Sequence, residues 1–100
     1  MRVDEYAKYV INNMNRATLG NALNITNKFN VEYDFKDFLE SIDSYILELL
    51  QLKIFDSTKG YSILHLSNKA FKMYESDFNY NKAFIIDDFI IELWQVFNGD

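Results

Sequence analysis

Apolar residues recur at intervals of three and four along much of this chain, which is the spacing of an amphipathic helix. The first such stretch predicts a helix over residues 3–14, with two acidic side chains in the first turn, where the helix dipole favours them. A weaker pattern predicts a second helix over residues 18–29. Alternation of apolar and polar positions over residues 31–35 predicts a short extended segment before the next helix.

The most regular pattern predicts a helix over residues 34–51, with Asp34 as its N-cap. One face of this helix is apolar and is expected to pack into the core. Its members are Phe35, Phe38, Leu39, Ile42, Tyr45, Ile46, Leu49 and Leu50. The opposite face is charged and carries Lys36, Asp37, Glu40, Asp43 and Glu48. Residues 31–52 hold six acidic side chains against one basic, a net charge of −5, so this is the most acidic part of the chain.

The pattern changes after this helix. Two short apolar runs, over residues 53–56 and 61–66, flank a polar turn that ends in Gly60, and this arrangement predicts a β-hairpin. Ser67 then has the place of an N-cap for a further helix that ends near residues 77–79.

The last predicted helix covers residues 81–98, and its apolar side chains spread almost around its circumference. A helix of this kind needs burial on more than one side, which either a central place in the core or a homodimer interface provides. We favour the homodimer, with core burial as the alternative interpretation. The expected interface residues are Phe89, Ile90, Trp94 and Phe97.

Four predicted elements follow one another in the middle of this chain. They are a leucine-rich helix that ends in residues 49–55, a turn with Gly60, a strand over residues 61–66 and a new helix from Ser67. This order of elements resembles the winged helix-turn-helix domain. The resemblance implies a single domain over residues 1–100 that is mainly α with a small β-hairpin (α+β), built from five helices and a two-stranded wing. In DNA-binding members of such families the helix before the wing enters the major groove, and the last helix dimerises.

Charge separates this chain from those DNA-binding members. It has 10 basic and 15 acidic residues, a net charge of −5, and its acidic helix stands where a recognition helix needs Arg, Lys, Asn or Gln. We therefore expect a non-enzymatic module that binds a protein partner through this helix. Small acidic domains of this kind resemble accessory or inhibitor proteins of phages and mobile elements, anti-CRISPR proteins among them. The expected partner-binding residues are Asp37, Glu40, Asp43 and Glu48.

The alternative function is a winged-helix transcription regulator. Its phosphate contacts would come from basic residues on the wing and in the N-terminal part of the chain, despite the net charge. The residues expected in that role are Arg16, Lys28, Lys53 and Lys59.

Residues that carry out catalysis or bind metals are sparse. There is no Cys, and the single His65, placed on a strand beside Tyr61 and Ile63, is interpreted as structural. Asp88 and Glu92 stand four residues apart on the last predicted helix, which is typical of a solvated acidic face. We therefore expect no catalytic residue, no cofactor and no metal. Neither a secretory signal nor a membrane span is apparent, so the expected location is the cytoplasm.

Overall fold

The computed structural model describes residues 1–29, 31–76 and 81–99, and the chain is helical through most of them. The described residues form five α-helices, with a short 3-10 helix on either side of the second one. The α-helices are α1 (Val3–Asn13), α2 (Leu19–Leu23), α3 (Phe35–Gln51), α4 (Ser57–Glu75) and α5 (Lys82–Asn98). The 3-10 helices are Met14–Arg16 and Asn24–Lys28.

The predicted β-hairpin and the α+β class are wrong, because the described residues contain no strand. Residues 57–75 form the single helix α4 in place of the wing, and among the described residues 31–35 there is a turn before α3 and no strand. Asp56 begins α4 by accepting hydrogen bonds from the backbone N–H groups of Thr58 and Lys59, at 2.7 and 3.1 Å. Ser67, the predicted N-cap, lies in the middle of this helix and is fully buried.

Gly60 also has a different role from the one predicted. It lies in the first turn of α4, where the helix passes very close to α3, and not in a β-turn. A Cβ atom at this position would lie 2.6 Å from Cδ2 of Leu50. The glycine therefore permits the close approach of two helices, a use that sequence periodicity does not distinguish from a turn.

Two of the predicted helices begin as expected. The Asp34 carboxylate caps α3 by accepting from the N–H groups of Lys36 and Asp37. Asn81 caps α5 in the same way through the N–H groups of Ala83 and Phe84. The predicted end of the preceding helix near residues 77–79 lies outside the described residues.

Four long helices pack side by side in the order α1, α3, α4, α5, and α2 with its flanking 3-10 helices packs against α5 and adjoins α1. The α1 and α3 helices are parallel, since Tyr6 meets Phe38 near their starts and Asn12 meets Tyr45 further along both. The α3 and α4 helices are antiparallel, because Leu50 faces Gly60 whereas Leu39 faces Ser67. This arrangement leaves an open groove along the outer surface between α1 and α3.

Candidate partner-binding groove

The groove between α1 and α3 brings together most of the acidic residues that the sequence marked as a binding surface. It has a volume of about 760 Å³. From α3 it is lined by Asp37, Glu40, Ser41, Ser44, Tyr45, Glu48 and Gln51, and from α1 by Val3, Asp4 and Lys8. We call this surface the acidic groove.

Helical geometry explains which α3 residues reach the groove. Asp37, Ser41, Ser44 and Glu48 follow one another at intervals of three and four, so they share one face of the helix. Asp37, Ser44 and Glu48 are exposed, whereas the buried α3 residues lie on the opposite side. Because α1 runs parallel to this face, the α1 residues four apart, Asp4 and Lys8, complete the second wall.

The groove carries a concentrated negative charge. Four carboxylates, from Asp4, Asp37, Glu40 and Glu48, face one ammonium group, from Lys8, which is a net charge of −3. Only Asp4 of the four has an ion pair within the described residues, with Arg2 at 3.0 Å. The groove therefore has free carboxylates for a cationic ligand.

The pKa of Asp4 reflects this pairing. Desolvation acts to raise the pKa, but the neighbouring Arg2 guanidinium and hydrogen bonds from backbone N–H groups together outweigh it and lower the pKa below its ordinary value. The pairing with Arg2 therefore favours the ionised form of Asp4, and this wall of the groove is charged at neutral pH.

Tyr45 provides the aromatic surface of the groove. Its hydroxyl donates a hydrogen bond to Oδ1 of Asn12 at 2.7 Å, which holds the ring between the two helices. The ammonium group of Lys8 lies 5.7 Å from the centre of that ring, within the range of a cation–π contact. The groove thus already holds one cation against an aromatic face in the presence of carboxylates.

Asp43 does not belong to this groove, although the sequence grouped it with Asp37, Glu40 and Glu48. It is half-buried on the side of α3 that faces α4. The side-chain hydroxyl of Ser67 on α4 lies close to its carboxylate. Conversely, sequence reasoning missed Asp4, Lys8 and Tyr45, because only the packing of α1 on α3 joins them to the acidic residues.

The four basic residues considered for nucleic-acid binding do not form one surface. Lys28 lies next to Phe29, which packs on Phe35 at the start of α3, and it pairs with Glu32 at 3.1 Å. Lys53 follows the far end of α3, which at 1.5 Å per residue is on the order of 25 Å away. Lys59 lies near Lys53 in the first turn of α4.

Arg16, the fourth of these residues, ends the first 3-10 helix. That segment is attached to the last turn of α5 by a hydrogen bond from the Asn98 side chain to the carbonyl oxygen of Met14, at 2.9 Å. Because Phe97, next to Asn98, packs on Phe55 between α3 and α4, Arg16 lies at the same end of the molecule as Lys53 and Lys59, and Lys28 alone lies at the other end.

The structure buries the predicted dimer residues of α5 within the single chain. Phe89 and Ile90 are 3% and 0% exposed. Trp94 is half-buried and donates from Nε1 to the carbonyl oxygen of Ala17 at 2.7 Å, and Phe97 packs edge-to-face on Phe55. Core burial, the alternative that the sequence left open, therefore accounts for most of the apolar surface of this helix, although Phe84 near its start remains exposed.

The remaining ionisable candidates are scattered. His65 lies on an exposed face of α4 and shares it with Tyr61 one turn earlier, so it is not buried between strands. Glu92 pairs with Lys69 at 3.5 Å, while Asp88 is exposed. In the described part of the chain no group of three His, Asp or Glu side chains is placed to hold a metal ion.

Comparison with models of protein families, with curated proteins and with solved structures found no match for this chain. Within residues 1–29, 31–76 and 81–99, no helix has the length and apolar character that crossing a membrane requires.

Proposed function

We propose that this chain is a protein-binding module whose acidic groove accepts a basic segment of a protein partner. The observation that carries the proposal is the convergence of four carboxylates on one groove, three of them without an ion pair among the described residues. Unpaired charges of one sign that line a concave surface attract a ligand of the opposite sign and speed its association.

The polar and aromatic lining supports a peptide ligand. Ser41 and Ser44 are small, so a long cationic side chain has room to lie along α3 and reach the carboxylates. The contact of Lys8 with the Tyr45 ring shows a geometry that a partner's Arg or Lys can also adopt. A partner whose basic site is covered in this way cannot bind other acidic ligands at that site. The more specific proposal is therefore that this chain inhibits its partner.

Nuclear magnetic resonance with a model peptide tests the groove directly. The probe is a short alanine-based helical peptide with Arg or Lys at every third or fourth position, titrated into ¹⁵N-labelled protein at low salt. We expect the largest shifts at the amides of Lys8, Ser41, Ser44 and Tyr45, and weaker binding as salt rises. A matched peptide with Gln in place of each basic residue should give no shifts.

Two charge-reversed variants distinguish the contribution of the groove carboxylates to peptide binding from that of the protein's net charge. Asp37→Lys with Glu40→Lys should weaken peptide binding by about tenfold or more, equivalent to about 1.4 kcal/mol. The control, Glu5→Lys with Asp88→Lys, makes the same change in net charge at exposed acidic residues outside the groove. Equal loss of binding in both variants, or shifts spread over α5, would contradict the proposal.

The transcription-regulator alternative has no such support. It depended on a wing, which is absent from the described residues, and on four basic residues, of which Lys28 lies at the opposite end of the molecule from the other three.

A further inference from the structure

A second cavity, separate from the acidic groove, lies where the end of α1 meets α2 and the two 3-10 helices. It has a volume of about 350 Å³, which is within the range of sites that bind small organic molecules. Its apolar lining is formed by Val10, Met14, Ala17 and Ile25. All the residues that line it lie between positions 9 and 25, and none of them lines the acidic groove. We call this cavity the N-terminal pocket.

The last helix holds one wall of this pocket in place. Trp94 donates from Nε1 to the carbonyl oxygen of Ala17 at 2.7 Å, and the side-chain amide of Asn98 donates to that of Met14 at 2.9 Å. Ala17 and Met14 both line the pocket, so contacts with α5 fix their positions. A wall that is fixed before a ligand binds reduces the entropy cost of binding.

The charge of the N-terminal pocket is opposite to that of the chain as a whole. Residues 6–31 contain none of the 15 acidic residues and three of the 10 basic ones, Lys8, Arg16 and Lys28. No Asp or Glu of the described residues lines the pocket, whereas Arg16 does. The guanidinium of Arg16 forms neither an ion pair nor a hydrogen bond with another described residue. A single positive charge without a counter-ion favours a ligand with one negative charge.

Two amide side chains add hydrogen-bonding groups to the same cavity. Asn13 and Asn21 both line it. The side-chain nitrogen of Asn13 donates one of its two hydrogens to the carbonyl oxygen of Tyr9, at 2.8 Å, so the other remains available. The side chain of Asn21 makes no hydrogen bond with another described residue. An anionic group in the pocket can therefore accept hydrogen bonds from these amides.

Tyr9 provides an aromatic surface at the pocket. Its ring stacks on that of Tyr6, with the ring centroids 6.3 Å apart and an interplanar angle of 19°, and Tyr6 in turn stacks on Tyr33 at 4.7 Å. Tyr9 is nevertheless 56% exposed, whereas Tyr6 is buried. A large exposed ring that is held by stacking is suited to contact a second planar ring.

We propose that the N-terminal pocket binds a small aromatic carboxylate. A carboxylate carries one negative charge and matches the planar guanidinium of Arg16 through two parallel hydrogen bonds. The aromatic part of the ligand then contacts the Tyr9 ring and the apolar lining. A phosphate group, with close to two negative charges, would keep one of them unpaired in a pocket with this single cation. The site is independent of the acidic groove, whose carboxylates select the opposite charge.

Nuclear magnetic resonance with three matched probes tests the proposal. 1-Naphthoate is titrated into the ¹⁵N-labelled full chain, alongside the neutral 1-naphthamide and the non-aromatic cyclohexanecarboxylate. Naphthoate should shift the amides of Asn13, Arg16, Ala17 and Asn21, with a dissociation constant on the order of 1 mM, as expected for a ligand of this size. The other two probes should bind at least about threefold more weakly. An absence of these shifts at about ten times that concentration, or equal binding of either matched probe, would overturn the proposal.

Arg16→Gln identifies the group that binds the anion. It should weaken naphthoate binding by about tenfold, because the charged pair is lost, and leave naphthamide binding unchanged. Arg16 is exposed, so the variant is expected to fold. The matched control, Lys28→Gln, makes the same change in net charge within residues 6–31 but outside the pocket, and it should bind naphthoate like the wild type. Equal losses in the two variants would mean that net charge attracts the anion, and the proposal would be overturned.

Tyr9→Leu tests the aromatic contact. It should weaken naphthoate binding by about threefold and leave cyclohexanecarboxylate binding unchanged, because only the first ligand has a ring to stack. The control, Tyr61→Leu, removes a ring that is 64% exposed on α4, outside the pocket, and should affect neither ligand. A loss by the same factor for both carboxylates in Tyr9→Leu would contradict an aromatic ligand.

Discussion

Among the described residues, Asp43 has an environment that does not suit its charge. One of its carboxylate oxygens is buried without a hydrogen-bond partner among the described residues. Burial raises the pKa of this carboxyl, the hydroxyl of Ser67 acts to lower it, and the nearby Glu40 carboxylate raises it further. The net direction is upward, so the ionised side chain opposes folding at neutral pH.

Replacing this carboxylate should therefore stabilise the protein. Because the pKa is higher in the folded than in the unfolded chain, protonation favours folding, and this contribution is lost as pH rises through the folded-state pKa. Asp43→Asn should raise the free energy of unfolding at pH 7 by on the order of 1 kcal/mol, the lower end of the cost of an unpaired buried group, since the side chain is half-exposed. The gain should shrink at pH 4.

Urea denaturation at the two pH values measures this effect. Asp88→Asn serves as the control, because Asp88 is an exposed carboxylate on α5, and its replacement should change stability little at either pH. A loss of stability in Asp43→Asn at pH 7 would show that the carboxylate makes a favourable interaction in the folded state.

At the scale of the elements, α4 is the helix that differs most from its prediction, and it packs on both α3 and α5. Its buried face consists of Gly60, Ile63, Ser67 and Ala70, three of them small residues. Small residues allow neighbouring helices to approach closely, and the Ser67 hydroxyl donates to the carbonyl oxygen of Leu39 at 3.4 Å across the interface. The helix is thus held by close packing more than by a broad apolar stripe.

Proline substitutions test whether α4 is continuous through its first turns. Ser62→Pro, inside α4, removes a backbone hydrogen bond and clashes with the preceding turn, so it should cost about 3 kcal/mol or more. Ser57→Pro, at the first helical position after the Asp56 cap, should be nearly neutral, because no helical hydrogen bond needs that N–H. Circular dichroism with thermal unfolding measures both. Similar tolerance of the two prolines would be evidence against a continuous α4.

At the scale of the whole molecule, the last helix attaches to the segment between α1 and α2, far away in the sequence. Trp94 donates from Nε1 to the carbonyl oxygen of Ala17 at 2.7 Å. The side-chain amide of Asn98 donates to the carbonyl oxygens of Met14 and Trp94. These contacts join the two ends of the chain, so the N-terminal and C-terminal halves should unfold together.

Loss of the indole tests this connection. Trp94→Phe leaves the half-buried carbonyl oxygen of Ala17 without its donor and removes packing volume, so it should cost about 1–3 kcal/mol. The melting temperature should fall by about 4–8 °C for each kcal/mol. Phe84→Ala, at an exposed position of the same helix, should change stability by no more than about 0.5 kcal/mol. Equal melting temperatures for Trp94→Phe and wild type would show that the indole of Trp94 does not stabilise the contact between α5 and the segment before α2.

The sequence by itself determined the elements whose signals are local. The apolar spacing of α1, α3 and α5 and the Asp34 cap were sufficient, because cap hydrogen bonds and helical periodicity involve residues within a turn or two of each other. The concentration of acidic residues on α3 was likewise readable from the sequence alone.

Only the tertiary structure decided the rest. Gly60 and Ser67 look like turn and cap residues until α3 is packed against them, and small residues give little helical periodicity. The burial of α5 within one chain required its neighbours to be known. For the same reason, Asp4 belongs to the acidic groove and Asp43 does not. Contacts between residues that are distant in the chain decide whether one side of a helix faces solvent, a groove or another helix.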